Sequence, residues 1–266
     1  MLREFFIWLF DSNKPFEIDV FSFWHILYTL VIIATTILLG IRLSRRGEEY
    51  ADKILSRIAS TVVIIYLADF FVQPLMHGDA SVAGEMNIDK LPFHICTLMC
   101  PVLAIVQSKK LKFLYEPAAF LAIVGPLMYL TYPNGALGDV SPLSYKILQT
   151  FIYHGLVLSW GYNMIASGKV KPRIQNCWKA LVGLCVIAVW AALGNAVYTN
   201  VDHHYDWFFI TGSSFAYAFP ESWEPYLGYI MPFIVIVAIF AVVLAVYGIY
   251  YAVVAINEKR KAKSAA

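Results

Sequence analysis

Residues 91–101, LPFHICTLMCP, bring several reactive side chains together at the start of an apolar segment. They include the imidazole of His94, the thiols of Cys96 and Cys100, and the hydroxyl of Thr97. Polar groups within a bilayer are costly and usually face a protein interior or a cavity. A thiol is a better nucleophile than a hydroxyl because it is partly ionised at neutral pH. We take Cys96 as the candidate nucleophile and interpret Cys100, deeper in the segment, as a packing residue.

Three other apolar segments each carry a polar side chain that needs a partner or a function: Asp69, His154 and Asn195. At 1.5 Å per residue, Cys96 lies roughly 7 Å and His154 roughly 13 Å below the outer surface. Asp69 and Asn195 lie near the outer ends of their segments, whereas the inner halves carry no comparable polar set. This shared depth predicts one cavity, with His154 as the base for Cys96. Asp69 either holds the tautomer of His154 or locks two helices together.

The composition is that of an integral membrane protein. Hydrophobic residues make up 60% of the chain, charged residues 14%, and the mean hydropathy is +0.65. Seven apolar segments are long enough for a bilayer core. They lie near residues 22–42, 57–76, 92–107, 112–132, 145–166, 178–200 and 228–256. We therefore predict an all-α, seven-transmembrane-helix bundle that forms a single domain over residues 1–266, with residues 1–14 as an interfacial segment.

Basic residues are distributed unevenly among the connecting segments. Of the twenty Lys and Arg, sixteen fall in alternate connections and the C-terminal tail. These are Arg42, Arg45, Arg46, Lys53, Arg57, Lys109, Lys110, Lys112, Lys169, Lys171, Arg173, Lys179, Lys259, Arg260, Lys261 and Lys263. The opposite side holds only Arg3, Lys14, Lys90 and Lys146. Because Lys and Arg concentrate on the cytoplasmic side of membrane proteins, we predict the N-terminus outside and the C-terminus in the cytoplasm.

Several kinds of partner and cofactor find no support in the sequence. A formal net charge of +2 does not indicate nucleic-acid binding. The four cysteines lie in or beside apolar segments without C-x-x-C spacing, so we expect neither a disulfide nor a zinc site. Residues 202–206, DHHYD, contain metal-ligating types, but such a run in a wet loop is more often solvated. We expect no metal, and the lack of an ATP or CoA motif predicts no cofactor.

Three stretches resemble the YwaF-type integral membrane proteins of bacteria: LPFHIC at 91–96, His154-Gly155, and Asn195 with YDWFF at 205–209. Those proteins are similar to the eukaryotic transmembrane protein 164 family and, more distantly, to the androgen-induced-gene intramembrane hydrolases. The eukaryotic relatives are acyltransferases that move fatty acyl chains between glycerophospholipids through a cysteine nucleophile and a partner histidine. The resemblance implies these roles for Cys96 and His154, and a bacterial cell membrane as the location. The androgen-induced-gene hydrolases use threonine as nucleophile, a role that would fall on Thr97.

We therefore expect a CoA-independent intramembrane acyltransferase with an acyl-cysteine intermediate, acting on membrane phospholipid and lysophospholipid. The alternatives are an intramembrane lipid ester hydrolase and a small-solute transporter or channel. A non-catalytic scaffold would leave the buried thiol and imidazole without a purpose. His94 cannot share a helical face with Cys96, so we expect it to orient a loop or a head group. Asn195 is expected to donate a hydrogen bond to an oxyanion or to the glycerol backbone.

The distribution of basic residues makes a topology prediction. Cysteines introduced at residues 202–206 should react with a membrane-impermeant maleimide added from outside, whereas a cysteine at Lys259 should not. Labelling of intact cells and of inverted vesicles measures both positions. The opposite pattern would place Cys96 and His154 in the cytoplasmic half of the membrane.

Overall fold

The computed structural model describes residues 18–76, 91–133, 141–199 and 205–265. The predicted interfacial segment at residues 1–14 lies outside the described residues. Seven α-helices account for most of the described part: α1 Phe23–Ser44, α2 Glu48–Met76, α3 Ile95–Ser108, α4 Lys112–Thr131, α5 Tyr145–Ala166, α6 Cys177–Tyr198 and α7 Glu224–Ala265. A short 3-10 turn at Ile174–Asn176 precedes α6. Three more, at Trp207–Phe209, Ser213–Ala218 and Glu221–Trp223, lie between α6 and α7.

Four described helical stretches are long and apolar enough to cross a membrane. They are Phe23–Ser44, Lys112–Thr131, Ile174–Tyr198 and Glu221–Arg260. Within the described residues, α2, α3 and α5 do not meet the same limits, and these three helices carry Asp69, Cys96 and His154. The all-helical membrane architecture is thus confirmed, while the count of seven spans and the orientation of the termini stay predictions.

Contacts divide the chain into two compact units. The first unit contains α1, α2, α4, α5, and α3 from Cys96 onward. Its central helix is α5. It packs against α1, α2 and α4. Two glycines make this packing close: a Cβ atom on Gly155 would lie 3.0 Å from Ile32, and one on Gly161 would lie 2.6 Å from the carbonyl oxygen of Ala119. Small residues at these positions let helix backbones approach closely, as membrane helix pairs require.

Helix α3 begins three residues later than the sequence predicts. Residues 91–94 form a turn, and Thr97 Oγ1 donates to the carbonyl of Leu91 at 3.1 Å. Cys96 is therefore the second residue of α3 instead of lying more than a turn inside it. The physical reason is that Phe93, just before the helix, packs on the Trp207 ring at 4.7 Å. Phe93 therefore belongs to the second unit instead of continuing α3.

A polar network with Trp160 and Gln107 buried at its centre lies at one end of the helices of the first unit. Trp160 Nε1 donates to Gln107 Oε1 at 3.2 Å, and Gln107 Nε2 donates to Ser56 Oγ at 3.2 Å and to Asp52 Oδ1 at 3.4 Å. Lys169 Nζ completes it with an ion pair to Asp52 at 2.6 Å. We call these five residues the Lys169 network. Asp52, Ser56 and Lys169 lie in the predicted connections, so the network joins residues at the ends of the predicted spans and leaves the expectation about their inner halves untested.

Apolar side chains separate the Lys169 network from the level of Cys96. Val62, Leu103, Val124 and Val157, one from each of α2 to α5, are all 0% exposed. Along α2, α3 and α5 they lie between the residues of the two polar levels, and on α4 Val124 precedes Tyr129 of the Cys96 level. We call this set the apolar layer.

The second unit contains α6, α7, the segment between them and residues Phe93–Ile95. Its aromatic centre is Phe93, which lies 5.2 Å from the Trp190 ring and 5.9 Å from the Tyr198 ring. Gly194 makes room for this ring, because a Cβ atom there would lie 2.6 Å from Phe93. The phenylalanine next to His94 and Cys96 is therefore a packing residue.

The close contact at Gly161 makes a stability prediction. Gly161→Ala should lower the free energy of unfolding by about 1–3 kcal/mol, because its methyl group would overlap a backbone carbonyl that cannot rotate away. Gly248→Ala in α7 is the matched control: nothing lies within 4 Å of its added Cβ. That control should be neutral or slightly stabilising, since alanine is the better helix former. Thermal unfolding in detergent compares the two, and equal midpoints would contradict the packing argument.

Candidate functional site

In the first unit, Cys96 is bonded to one of two tyrosines whose rings contact His154. Tyr153 Oη donates to the backbone carbonyl of Cys96 at 2.8 Å, which ties the first turn of α3 to α5. His154 follows Tyr153 in the chain, and their rings meet edge to face at 5.5 Å. Tyr129 of α4 lies against His154. We call Cys96, Tyr129, Tyr153 and His154 the Cys96 cluster.

The tautomer of His154 follows from one hydrogen bond. Its Nδ1 lies 2.8 Å from the backbone carbonyl of Thr150, four residues earlier in α5. A carbonyl oxygen can only accept, so Nδ1 carries the hydrogen and, in the neutral ring, Nε2 carries the lone pair. The sequence left open whether Asp69 holds this tautomer or locks two helices together; the described bond of Nδ1 goes to the Thr150 carbonyl. Nε2 is thus the nitrogen that can take a proton, as a general base must.

A second histidine, His25, shows what a purely structural arrangement looks like. Its Nε2 donates to the carbonyl of Leu130 at 2.8 Å, and its Nδ1 accepts from the backbone N–H of Phe21, also at 2.8 Å. Both ring nitrogens are therefore used by the backbone, and the ring is 2% exposed. His25 joins α1 to the end of α4 and has no nitrogen left for chemistry.

Tyr129 fixes the plane of the His154 ring. The two rings stack in parallel, with centroids 3.8 Å apart and an interplanar angle of 8°. The Tyr129 hydroxyl also interacts electrostatically with the Cys96 thiol and lies near the side chain of Thr150. Neither Tyr129 nor Tyr153 stood out from the sequence as a site residue, because tyrosine is also common as an amphipathic packing residue. The signal that could have found them is a hydroxyl carried within an apolar helix.

Asp69 belongs to a neighbouring part of the same unit. It is 1% exposed, and its carboxylate interacts with the hydroxyls of Tyr145 and Tyr66. The Tyr66 ring lies 6.2 Å from the Tyr153 ring, and Tyr66 also interacts with the Cys100 thiol. Asp69 is therefore linked to the Cys96 cluster through tyrosines. Its described contacts fit the hydrogen-bonded, helix-locking role that the sequence left open.

His94 and Asn195 lie in the second unit and hold one segment of backbone. Asn195 Oδ1 accepts from the N–H of Trp207 at 2.9 Å, and its Nδ2 donates to the carbonyl of the same residue at 3.3 Å. His94 Nδ1 accepts from the N–H of Phe208 at 3.1 Å. Because Nδ1 is the acceptor in that bond, the hydrogen of a neutral His94 ring lies on Nε2.

Asp206 organises the chain that follows. Its two carboxylate oxygens accept from the backbone N–H groups of Thr211 and Ser214, at 2.8 and 2.9 Å. Burial raises the pKa of Asp206, but the hydrogen bonds together lower it by more. The pKa of Asp206 therefore lies below its usual range. Most of the DHHYD run, residues 202–204, lies outside the described residues. Within the described part of the chain, no group of three His, Cys, Asp or Glu could hold a metal ion.

Comparison with known proteins agrees with the resemblance seen in the sequence. The model of the TMEM164 family matches residues 20–250, which is most of the 266-residue chain. The matched range covers most of each unit and contains the Cys96 cluster, His94 and Asn195. No curated protein and no solved structure matches the chain.

The hydrogen bonds of Asp206 make a pH-dependent stability prediction. A carboxyl group whose pKa is lowered by folding stabilises the protein above its unfolded pKa, about 3.9, and loses this effect as the pH falls through the folded value. Asp206→Asn should lower the unfolding midpoint at pH 7 by the equivalent of about 1 kcal/mol, since an amide nitrogen cannot accept the second N–H. The difference from wild type should shrink below about pH 4. Glu258→Gln in the exposed tail is the control, and a difference that persists at pH 3 would contradict the assignment.

Proposed function

Because the chain belongs to the TMEM164 family, we propose that it is an intramembrane acyltransferase that moves fatty acyl chains between glycerophospholipids. The observation that carries the proposal is the state of His154. Its Nδ1 hydrogen is fixed by Thr150, its plane is fixed by Tyr129, and it follows the tyrosine that holds the turn of Cys96. An oriented imidazole is the group that activates a cysteine nucleophile once the two are within hydrogen-bond reach, and the proposal takes Cys96 and His154 to form such a pair.

In the first half of the reaction, Cys96 attacks the ester carbonyl of a phospholipid. His154 Nε2 takes the thiol proton, and Sγ forms a bond to the carbonyl carbon while the carbonyl electron pair moves to oxygen. When the intermediate collapses, the bond to the glycerol oxygen breaks. His154 returns the proton to that oxygen, and a lysophospholipid leaves. The products are an acyl-cysteine thioester and a neutral imidazole.

In the second half, a different lysophospholipid accepts the acyl chain. Its hydroxyl gives a proton to His154 Nε2, and its oxygen attacks the thioester carbonyl. Collapse breaks the bond to Sγ, and the proton from His154 restores the Cys96 thiol. One ester bond is broken and another is formed, so the transfer needs neither ATP nor CoA. With water as the acceptor, the same steps give the hydrolase alternative.

The neighbouring threonine is less suited to the nucleophile role. Thr97 Oγ1 donates to the carbonyl of Leu91, so its hydroxyl proton is engaged in holding the turn before α3. Cys96 makes its described polar contact through its backbone carbonyl, which leaves the thiol outside that bond. This difference supports the cysteine as nucleophile. His94 and Asn195, which hold the 207–208 backbone, are proposed to position substrate through that segment.

One observation favours the transporter alternative. The Lys169 network supplies polar residues at the other end of the first unit, as a solute path would need. The apolar layer argues against a continuous path, because Val62, Leu103, Val124 and Val157 are completely buried between the two levels. Lipidomics of purified protein in mixed phospholipid vesicles distinguishes the two functions: acyl redistribution supports transfer, and solute flux without redistribution supports transport.

We propose seven spans, with the N-terminus outside and the Lys259 tail in the cytoplasm. The partition of basic residues supports this orientation, which puts the Cys96 cluster in the outer half of the membrane. Acyl chains could then enter sideways from the outer leaflet. The likeness of residues 91–96 to YwaF-type proteins supports a bacterial cell membrane as the location.

The acyl-cysteine makes the central functional prediction. With a phospholipid that carries a fluorescent acyl chain, wild-type protein should acquire a covalent label that hydroxylamine removes. Cys96→Ala should abolish this label and the transfer. His154→Ala should slow formation of the label by about 10²–10⁴-fold, because the base is lost.

The matched control is Cys100→Ala, which removes the other thiol of the same helix face. Its activity should fall only through packing, since Cys100 is 3% exposed. In-gel fluorescence before and after hydroxylamine measures all four proteins. Wild-type protein without a hydroxylamine-sensitive label, or full activity in Cys96→Ala, would show that the nucleophile assignment is wrong.

A further inference from the structure

The Tyr129 hydroxyl is a buried polar group that the steps above do not use. Among the described residues it makes no hydrogen bond of standard geometry, although its oxygen is shielded from solvent. Thr150 is its polar neighbour and interacts with the Tyr129 oxygen, but the Thr150 hydroxyl donates to Gln149 Oε1 at 3.2 Å. The hydrogen of the Tyr129 hydroxyl thus has no described acceptor, and a buried donor in that state is costly and calls for a functional explanation.

The ring that carries this hydroxyl contacts His154, the proposed base. Its own ring is stacked on His154 at 3.8 Å, and the hydroxyl interacts electrostatically with the Cys96 thiol. A phenol is rigid beyond its two side-chain torsions, and the stacking contact restricts both of them. The O–H group is therefore held in a fixed position relative to His154 before any substrate arrives. Such preorganised donors stabilise charge that develops in a transition state.

The other donors near Cys96 already have described acceptors. Tyr153 Oη donates to the carbonyl of Cys96, and Thr97 Oγ1 donates to the carbonyl of Leu91. His154 Nδ1 donates to the carbonyl of Thr150. The Tyr129 O–H is thus the hydroxyl of the Cys96 cluster that can donate to a new acceptor without breaking a described bond.

We propose that the Tyr129 hydroxyl donates the hydrogen bond that stabilises the oxyanion of the tetrahedral intermediate, a role that rests on the proposed function. When Sγ bonds to the carbonyl carbon, the carbonyl electron pair becomes an oxyanion, and Tyr129 donates to it while keeping its own proton. When the carbonyl re-forms, the electron pair returns and the glycerol oxygen leaves with the proton from His154. The same donor serves the second intermediate, in which the acceptor lysophospholipid attacks the thioester.

The test compares Tyr129→Phe with Tyr132→Phe. The first change removes only the hydroxyl and keeps the ring that stacks on His154. The second removes a hydroxyl from an exposed tyrosine three residues later. With a phosphatidylcholine that carries a fluorescent acyl chain in mixed vesicles, Tyr129→Phe should lower kcat by about 10²–10³-fold with KM nearly unchanged, because an oxyanion exists only in the transition state and the intermediate. Tyr132→Phe should match the wild type.

Alkylation of Cys96 by iodoacetamide distinguishes an oxyanion donor from a residue that only positions His154. Alkylation is a direct displacement and forms no oxyanion, so its rate in Tyr129→Phe should equal that of the wild type. Mass spectrometry of the Cys96 peptide measures this rate, and thermal unfolding checks that the variant is folded.

The outcomes separate the two proposals. A normally acylated wild type with Tyr129→Phe within threefold of it would overturn the oxyanion role alone. Equal losses in acylation and alkylation would also overturn it, because Tyr129 would then act only by positioning His154 or Cys96. If the wild type is not acylated at all, both the acyltransferase function and the role of Tyr129 fall.

Discussion

The hydrogen bond from His154 Nδ1 to the Thr150 carbonyl is the interaction on which the candidate site depends. It lies within a single helix and spans one turn, so it is maintained wherever α5 is helical. It sets the tautomer of His154 without a carboxylate. No charged partner is therefore placed in the apolar interior, where an ionised group is costly. Together with the stacking of Tyr129, this bond fixes the plane of the ring and leaves the lone pair of the neutral imidazole on Nε2.

The close packing of α5 maintains this arrangement. Gly161 brings the helix against the Ala119 carbonyl of α4, the helix that also carries Tyr129, nearly three turns later. Tyr153 connects α5 to the first turn of α3. The three helices that supply the Cys96 cluster are thus joined by backbone contact and by a side-chain-to-backbone bond, neither of which depends on a flexible charged group. A site built on such helices can keep its distances within the small tolerance that catalysis needs.

The second unit shows how strained backbone is stabilised by side chains. Phe208 and Phe209 have φ angles of 61° and 58°, a left-handed conformation that costs about 1–2 kcal/mol for each such residue. Asn195 binds both the N–H and the carbonyl of Trp207, as a neighbouring strand would, while His94 and Asp206 accept from N–H groups on either side. Side chains that replace secondary-structure bonds in this way allow an irregular segment to be buried.

Hydropathy and charge predicted the helical architecture because apolar periodicity is a local property of the chain. They also found Cys96 and His154, since a thiol and an imidazole stand out in apolar helices. The start of α3 was missed because it depends on Phe93 packing on Trp207, more than a hundred residues away. The Lys169 network was missed for the same reason: Gln107 and Asp52 are polar residues near helix ends, where solvation is the simpler expectation. The apolar layer that separates that network from the Cys96 cluster contains no group that can carry a proton in its described side chains. If the proposed acid–base chemistry takes place at the Cys96 cluster, such a layer would hinder its protons from crossing to the Lys169 network, and the transmembrane potential would be preserved.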